Sequence, residues 1–350
     1  MSVTLNGRRN AMLTLCMITK DEANNIQACL DSVKDIVNEI IVVDTGSTDN
    51  TVELCLNAGA RVFHFPWNGS FSDARNFGLE HCKTDWVLVL DADEELDPDT
   101  SWGIPIAMDD KDKDSYYIVI RNYVSSDDAI VGGKHAMPSE HKFGPYYVEQ
   151  PSIRLFRNGI KYEGCIHETV DRAVKSSDKL GVLIHHKGKM DIEREQSKSI
   201  SYLQLAIKEV NEHPKDHMAW CNLMQQAAII YDWKTVLLSA ATARDLMCGE
   251  HNSVLLYGSK ACMELGAHKM ALEWSTKLVE LYPEDIAGLN IHAINLFNVG
   301  DMDAADGAFK KAIATGHAPN IRSYAKFLRI CGRDIEAAMV EIRLLCGILK

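Results

Sequence analysis

Apolar runs and helical patterns take turns along the first part of the chain. Met12 to Ile18 is an apolar run, and Ile26, Leu30 and Val33 then fall on one helical face. Glu39-Ile-Ile-Val-Val-Asp44 is a second run, closed by an acid. Thr45-Gly-Ser-Thr-Asp-Asn50 reads as a turn in which Ser47 or Thr48 can cap a helix through Val52, Leu54, Cys55 and Leu56, stopped by Gly59. Arg61 to Phe65 is a short strand. Pro66 and Gly69 break the chain before a helix over Ser72 to Leu79. The fourth run, Trp86-Val-Leu-Val-Leu90, has no polar alternation, as expected of a strand covered on both faces. Strands and helices alternating in this way predict a doubly wound, mostly parallel α/β sheet.

Beyond Asp97-Pro98 the pattern loosens. Tyr116 to Ile120, Ile153 to Arg157, Tyr162 to Val170 and Val182 to Ile184 read as further short strands. Residues 125–150, with Gly132, Gly133, Pro138, Gly144 and Pro145, read as a long loop of the kind that carries function or is disordered. From about Asp191 helical periodicity takes over, which divides the chain into an α/β domain (1–190) and a helical domain (191–350). The helical part repeats. Leu265-Gly266 and Val299-Gly300 lie 34 residues apart, Tyr231-Asp232 lies 34 before the first, and Cys331-Gly332 lies 32 after the second. Ala271, Ala305 and Ala337 recur in register, and Pro214, Pro283 and Pro319 fall where helices should close. A period of about 34 with paired helices is tetratricopeptide spacing. Its usual aromatic positions are only partly filled here, and an unrelated helical bundle is the bland alternative.

Composition narrows the class. The 350 residues are 46% hydrophobic and 25% charged, ordinary for a globular protein with two sizeable cores. A net charge of −12 argues against coating nucleic acid or anionic membrane, while leaving room for a local basic patch. The ten cysteines form no Cys-x-x-Cys pair, and neighbours such as Leu15-Cys16-Met17 read as buried thiols in a reducing compartment. No stretch reaches the ~20 apolar residues of a membrane span, and the N-terminus is too short and charged for a signal peptide, so a cytoplasmic protein is expected.

The candidate chemistry sits where strands end in acids. Asp91-Ala-Asp93 follows the fourth apolar run, at the carboxyl edge where ligands of open α/β sheets bind. On extended backbone the two carboxylates would point the same way and could hold a hard divalent cation. The bland alternative is an acidic, solvated turn. Asp44 ends the second run beside Thr19 at the end of the first, and could equally cap the next helix. Arg75 opens a helix that points back at this edge, or is a surface arginine. Glu22, in a first helical turn, is favoured there by the macrodipole alone. Ile166-His-Glu168 and Leu183-Ile-His-His-Lys-Gly188 close later strands with titratable side chains.

Four stretches in order carry a resemblance: Met12-Leu-Thr-Leu-Cys-Met-Ile-Thr-Lys-Asp-Glu22, Ile41-Val-Val-Asp-Thr-Gly-Ser-Thr-Asp-Asn-Thr51, Ser72-Asp-Ala-Arg-Asn76 and Val89-Leu-Asp-Ala-Asp-Glu94. They resemble family 2 glycosyltransferases of the GT-A fold, over roughly residues 11–190. Within that family the chain looks closest to the branch with tetratricopeptide repeats after the catalytic domain, to which sublancin-type peptide glycosyltransferases belong. The resemblance implies a metal-dependent, inverting transfer from a UDP-sugar. It implies Mn²⁺ or Mg²⁺ on Asp91, Asp93 and His186, and donor contacts from Thr19, Glu22, Asp44, Arg75, Asp91 and His167. Glu168 becomes the candidate acceptor base, and the 125–150 loop (His135, Glu140, His141) is the fallback. Lys189 stands where the family commonly has an aromatic after the His-x-Gly signature. The acceptor stays open between a peptide, a glycan or lipid-linked sugar, and a modified nucleic-acid base. The repeats suit a polypeptide or a homodimer. Two other readings compete. A nucleotidyltransferase would need a Gly-rich phosphate loop with an early lysine, and Thr19-Lys-Asp-Glu22 has no glycine. A non-catalytic repeat scaffold with a degenerate nucleotide-sugar domain is opposed by intact Asp44, Asp91 and Asp93.

Overall fold

A computed structural model describes residues 11–126, 130–131, 134–164, 168–170, 173–188, 192–247 and 250–345. The chain separates into two compact units. One holds the residues up to Ser126 and Ala136–Glu195; the other holds Gln196–Lys350 with the small hairpin of Ile130–Val131 and Lys134–His135. Among the described residues no helix is long and apolar enough to cross a membrane. Six of the described cysteines are buried free thiols, and Cys331 is an exposed one.

The first unit begins as the hydrophobic pattern predicts: β1 (Leu13–Thr19), α1 (Ile26–Val33), β2 (Glu39–Asp44), α2 (Thr51–Asn57), β3 (Arg61–His64), α3 (Phe71–Leu79) and β4 (Trp86–Val89). Then come β5 (Glu94–Leu96), α4 (Gly103–Met108) and β6 (Ser115–Val124); after the hairpin strands β7 (Ile130–Val131) and β8 (Lys134–His135), which belong to the other unit, the first unit resumes with β9 (Met137–Pro138), β10 (Tyr146–Arg157) and β11 (Ser177–His186). The main sheet runs β3-β2-β1-β4-β10-β6-β11-β5. The first four strands are parallel. The second half is mixed, with β10 antiparallel to both β4 and β6, β11 parallel to β6, and β5 antiparallel to β11.

Both faces of the parallel half are buried. Leu13, Leu15, Met17, Trp86, Leu88 and Leu90 pack on one side with α1 and α4; Cys16, Ile41, Val87, Val89 and Phe156 pack on the other with Leu79. Alternate residues of a central strand therefore enter different cores, which is why β4 carries no polar position.

Three expectations change. The 125–150 segment is not one loop, because Tyr146–Gln150 already pair with β6. Pro151 obscured this: it interrupts a strand pattern, yet it sits where β10 pairs with β6 alone, since the β4 ladder starts only at Leu155. Tyr162 to Val170 is not a strand. Its described residues make one isolated bridge, Glu163–Thr169, the chain turns at Gly164 with φ 92°, and Asn76 captures both the N–H and the C=O of Tyr162. Ser47 and Thr48 do not cap α2, which starts later, at Thr51.

The second unit is helical: α5 (Ile192–Glu212), then the pairs α6 (His217–Ile229) and α7 (Trp233–Leu246), α8 (Asn252–Glu264) and α9 (His268–Leu281), α10 (Ile286–Asn298) and α11 (Met302–Ile313), α12 (Ala318–Ile330) and α13 (Asp334–Leu345). The first helices of the pairs start 35, 34 and 32 residues apart, and so do the second. Val236, Ala271, Ala305 and Ala337 hold one repeated position and are all fully buried. Pro319 corrects one expectation: it lies in the first turn of α12 and opens that helix, where its missing N–H is harmless.

Each pair turns through one left-handed residue: Tyr231, Gly266, Gly300 and Gly332, with φ of 61°, 76°, 88° and 72°. Behind each, the next N–H reaches back across the turn, as in Asp301 N to Leu296 O at 3.1 Å and Arg333 N to Leu328 O at 2.8 Å. This is a Schellman closure, in which glycine avoids the Cβ penalty. Tyr231 bears that penalty at the first pair. A Cβ on Gly300 would meet nothing within 4 Å, so only backbone conformation is at stake there. Gly300→Ala should therefore cost ~1 kcal/mol in urea unfolding, and Tyr231→Gly should shift stability the other way. A neutral Gly300→Ala would refute the left-handed assignment.

Candidate active site at the carboxyl edge of the sheet

Parallel pairing sets three side chains in a row. Thr19 pairs with Asp44 across β1 and β2, and Asp44 pairs with His64 across β2 and β3. Asp44 is buried, and its carboxylate accepts the Gly46 N–H at 3.2 Å and the Ser47 N–H at 3.1 Å, with His64 Nδ1 at 3.2 Å. Burial alone would raise its pKa, but these partners hold it below the ordinary value. Asp44 thus organises its own turn. His64, missed from the sequence, carries its imidazole largely into solvent beside it. The hydroxyl of Thr19 is buried with no hydrogen-bond partner in the protein. Glu22 is buried; its N–H donates to Thr51 Oγ1 at 2.7 Å and its carboxylate accepts from Asn25.

The acidic motif is not extended. Val89 ends β4, and the chain turns, with Glu94 N donating to Asp91 O at 3.0 Å, before β5 begins. The expectation that Asp91 and Asp93 point the same way is therefore corrected: the turn sends them to different neighbours. Asp91 lies between two guanidinium groups, Arg75 Nη2 at 2.8 Å from Oδ1 and Arg154 Nη2 at 3.4 Å from Oδ2. Burial would raise its carboxyl, but Arg75 and then Arg154 hold it well below the usual carboxylate range. Arg154 also binds Glu94 at 2.8 Å, and Arg75 Nε binds Glu168 at 2.5 Å. Burial pushes the Glu94 carboxyl up to about 7 against the pull of Arg154. Arg75 is a buried residue bound to two carboxylates, with Tyr162 under its guanidinium, so the bland reading of it as a surface arginine is excluded.

Asp93 faces the other half of the sheet. β5 pairs with β11 so that Glu94 lies opposite His186, and His186 Nε2 comes within 3.6 Å of Asp93 Oδ2. His186 Nδ1 is bound by Asn122 Oδ1 at 2.7 Å, which leaves Nε2 as the ring nitrogen toward Asp93. His185 faces away, between Asp97 (2.9 Å) and the Tyr123 hydroxyl (2.8 Å), with His141 stacked on it. His167 lies outside the described residues. Among the described residues, no group of three or more His, Cys, Asp and Glu side chains is arranged to hold a metal ion. Asp93 and His186 still offer two donors to one point.

Arg154, Glu94, Asn122 and Gly188 complete this site. A charged residue inside the apolar run Ile153-Arg-Leu-Phe was the one visible sign of Arg154.

A mostly parallel sheet half with an acidic turn at its carboxyl edge, joined to a mixed half, is the GT-A arrangement of glycosyltransferases. Residues 14–166 match the family model for glycosyl transferase family 2, and the α/β unit carries a domain of that family. A TPR repeat-containing protein of Synechococcus elongatus is 51% identical over 90 residues, 26% of this chain and 22% of that protein. An uncharacterised glycosyltransferase of Rickettsia bellii is 41% identical over 100 residues, 29% of this chain and 34% of that protein. The chain thus spans about a third or less of the length of these curated relatives. Among solved structures, MamA (residue 41 to the end) of Desulfovibrio magneticus RS-1 is similar at 13% identity with a TM-score of 0.38, covering 44% of this chain and 86% of that one.

Gly188 packs directly on the pair. A Cβ there would collide with the Asp93 carboxylate and come within 2.8 Å of His186 Nε2. Gly188→Ala should therefore cost on the order of 1–3 kcal/mol by overpacking. The cost should shrink in an Asp93→Ala background, where the obstructing carboxylate is gone. Equal costs in both backgrounds, measured by denaturant unfolding, would put the strain elsewhere.

Proposed function

We propose that the chain is a metal-dependent, inverting glycosyltransferase that takes its sugar from a UDP-sugar. The observation that carries this reading is the Asp93–His186 pair, 3.6 Å apart and backed by Gly188, at the edge where β1, β2 and β4 end. Mn²⁺ or Mg²⁺ is held by few protein ligands when phosphate oxygens and water complete its shell, so two donors fit it. When bound, such a cation neutralises the charge that builds on the leaving diphosphate. Asp91, committed to Arg75 and Arg154, keeps the turn in place on this reading and reaches the ribose or metal only by exchanging a partner.

Thr19, Glu22, Asp44 and Arg75 line the donor half, and Arg75 turns toward diphosphate if it releases Asp91. In the transfer step the acceptor oxygen or sulfur bonds to the anomeric carbon as the bond to diphosphate breaks. The electron pair leaves with the diphosphate, and the acceptor proton passes to Glu168. The acceptor class that best suits a unit of helical hairpins is a polypeptide. The 1–190 and 191–350 division serves as the working boundary between catalytic and repeat domains.

Calorimetry with UDP and Mn²⁺ tests the metal. Wild type should bind UDP in a Mn²⁺-dependent way, excess chelator should abolish sugar transfer, and Asp93→Asn should lose both without losing its fold, since removing one acid from a crowded cluster relieves repulsion. Turnover unaffected by chelator would sink the reading.

Glu168→Gln separates the base from the donor site. It should keep UDP affinity while transfer falls ~10²-fold, the usual size of a general-base contribution. Transfer at the normal rate would place the base elsewhere. A small Glu168→Gln effect beside a strong loss of UDP binding in His186→Ala would mark a thiol acceptor, which is partly ionised without help.

A further inference from the structure

β10 and β6 keep one register from Tyr146–Val124 to Ile153–Tyr117, and then Leu155 pairs with Tyr116. Arg154 is the extra residue. A bulge leaves its residue out of the ladder and re-aims the side chain, and bulges gather beside active sites. Here the re-aimed group is a guanidinium that ties two residues of the acidic turn together: Glu94 Oε1 at 2.8 Å and Asp91 Oδ2 at 3.4 Å. Glu94 fixes the same turn from within, its Oε2 accepting the Asp91 N–H at 2.8 Å. Three carboxylates (Asp91, Glu94, Glu168) share two guanidinium groups, so no acid in the cluster has a cation of its own. The Nε of Arg154 and the Nη1 of Arg75 are buried without a partner in the protein, which shows that both guanidinium groups are held by the acids they bind and not by a full set of hydrogen bonds.

We propose that Arg154 is the positioning residue of this turn: delivered by the β10 bulge, it holds Asp91 and Glu94 so that Asp93 is the carboxylate presented beside His186. It acts through the two acids and touches no substrate. This rests on the metal-dependent reading given above. Only a residue at the bulge reaches both acids from β10, because its neighbours Ile153 and Leu155 are buried in the cores on the two faces of the sheet. A lysine there would supply a point charge and no fork, so it could serve one acid well and not both.

The test measures the affinity of UDP in the presence of Mn²⁺ by calorimetry, alongside the melting temperature, in wild type, Arg154→Met, Arg154→Lys and Glu94→Gln/Arg154→Met. Arg154→Met should weaken Mn²⁺-dependent UDP binding at least tenfold and lower the melting temperature, because Glu94 loses its cation. The double variant removes one charge of each sign and should regain the melting temperature while UDP affinity stays low, since Asp91 keeps Arg75 alone and the guanidinium that tied it to residue 94 is gone. Arg154→Lys should fall between wild type and Arg154→Met in affinity. Wild-type affinity in Arg154→Met would overturn the inference. So would a double variant that regains both properties, for then Arg154 would only neutralise Glu94. Should wild type itself show no Mn²⁺-dependent UDP binding, the functional reading falls and the inference falls with it.

Discussion

Acids taken out of water at a sheet edge must find cations or give up their charge, and the α/β unit is arranged around that demand. Glu94, at the start of β5, is buried, while Asp91 of the acidic turn and Glu168 of the segment after β10 are half-buried. The cations that answer them come from α3 and from the bulge of β10. The ion pairs therefore join elements that backbone pairing alone would not hold at one point. Losing Arg154 would leave Glu94 buried and unpaired, a cost larger than the net value of the pair itself.

The same turn sends its two acids to different neighbours. It delivers Asp91 to Arg75 of α3 and Arg154 of β10. It delivers Asp93 to the mixed half, where β11 brings His186 and Gly188. Two acids separated by one residue thus serve different neighbourhoods. A turn does what a strand could not, because successive alternate side chains of a strand share a face.

Much of this was legible in the residues, for reasons that differ by region. The parallel strands announce themselves because both faces are buried, so Trp86 to Leu90 tolerate no polar side chain. The repeat announces itself because a left-handed turn selects glycine, as at Gly266, Gly300 and Gly332. Pro319 misled because proline opens helices as readily as it ends them. The bulge at Arg154 was invisible because register is a property of two strands, and one sequence pattern describes only one. The conformation of the Asp91-Ala-Asp93 motif failed for a related reason. The apolar run before it predicts a strand, while the backbone bond that turns the chain is donated by Glu94, beyond the motif. Asp44 was seen as an edge acid, but its bond to His64 needed the pairing of β2 with β3.

Among its described residues the helical unit shows two hydrophobic clusters, and α10 serves both. Ala287 and Ile291 pack with the residues of α6 to α9, while Ala293, with Ile294 and Phe297, packs toward α11 to α13. Stability in a stack of hairpins is a sum over neighbours, so most helices matter only locally. α10 is the exception, since it closes one cluster and opens the next. Opening that begins at α13 can run back through α12 and α11 and halt at α10, leaving the α6–α9 cluster intact. Amides on either side of α10 would then exchange with solvent as separate cooperative blocks, with α10 itself among the last to open. The unit thus has a joint at which its two ends can vary in sequence, or be replaced, without a common penalty.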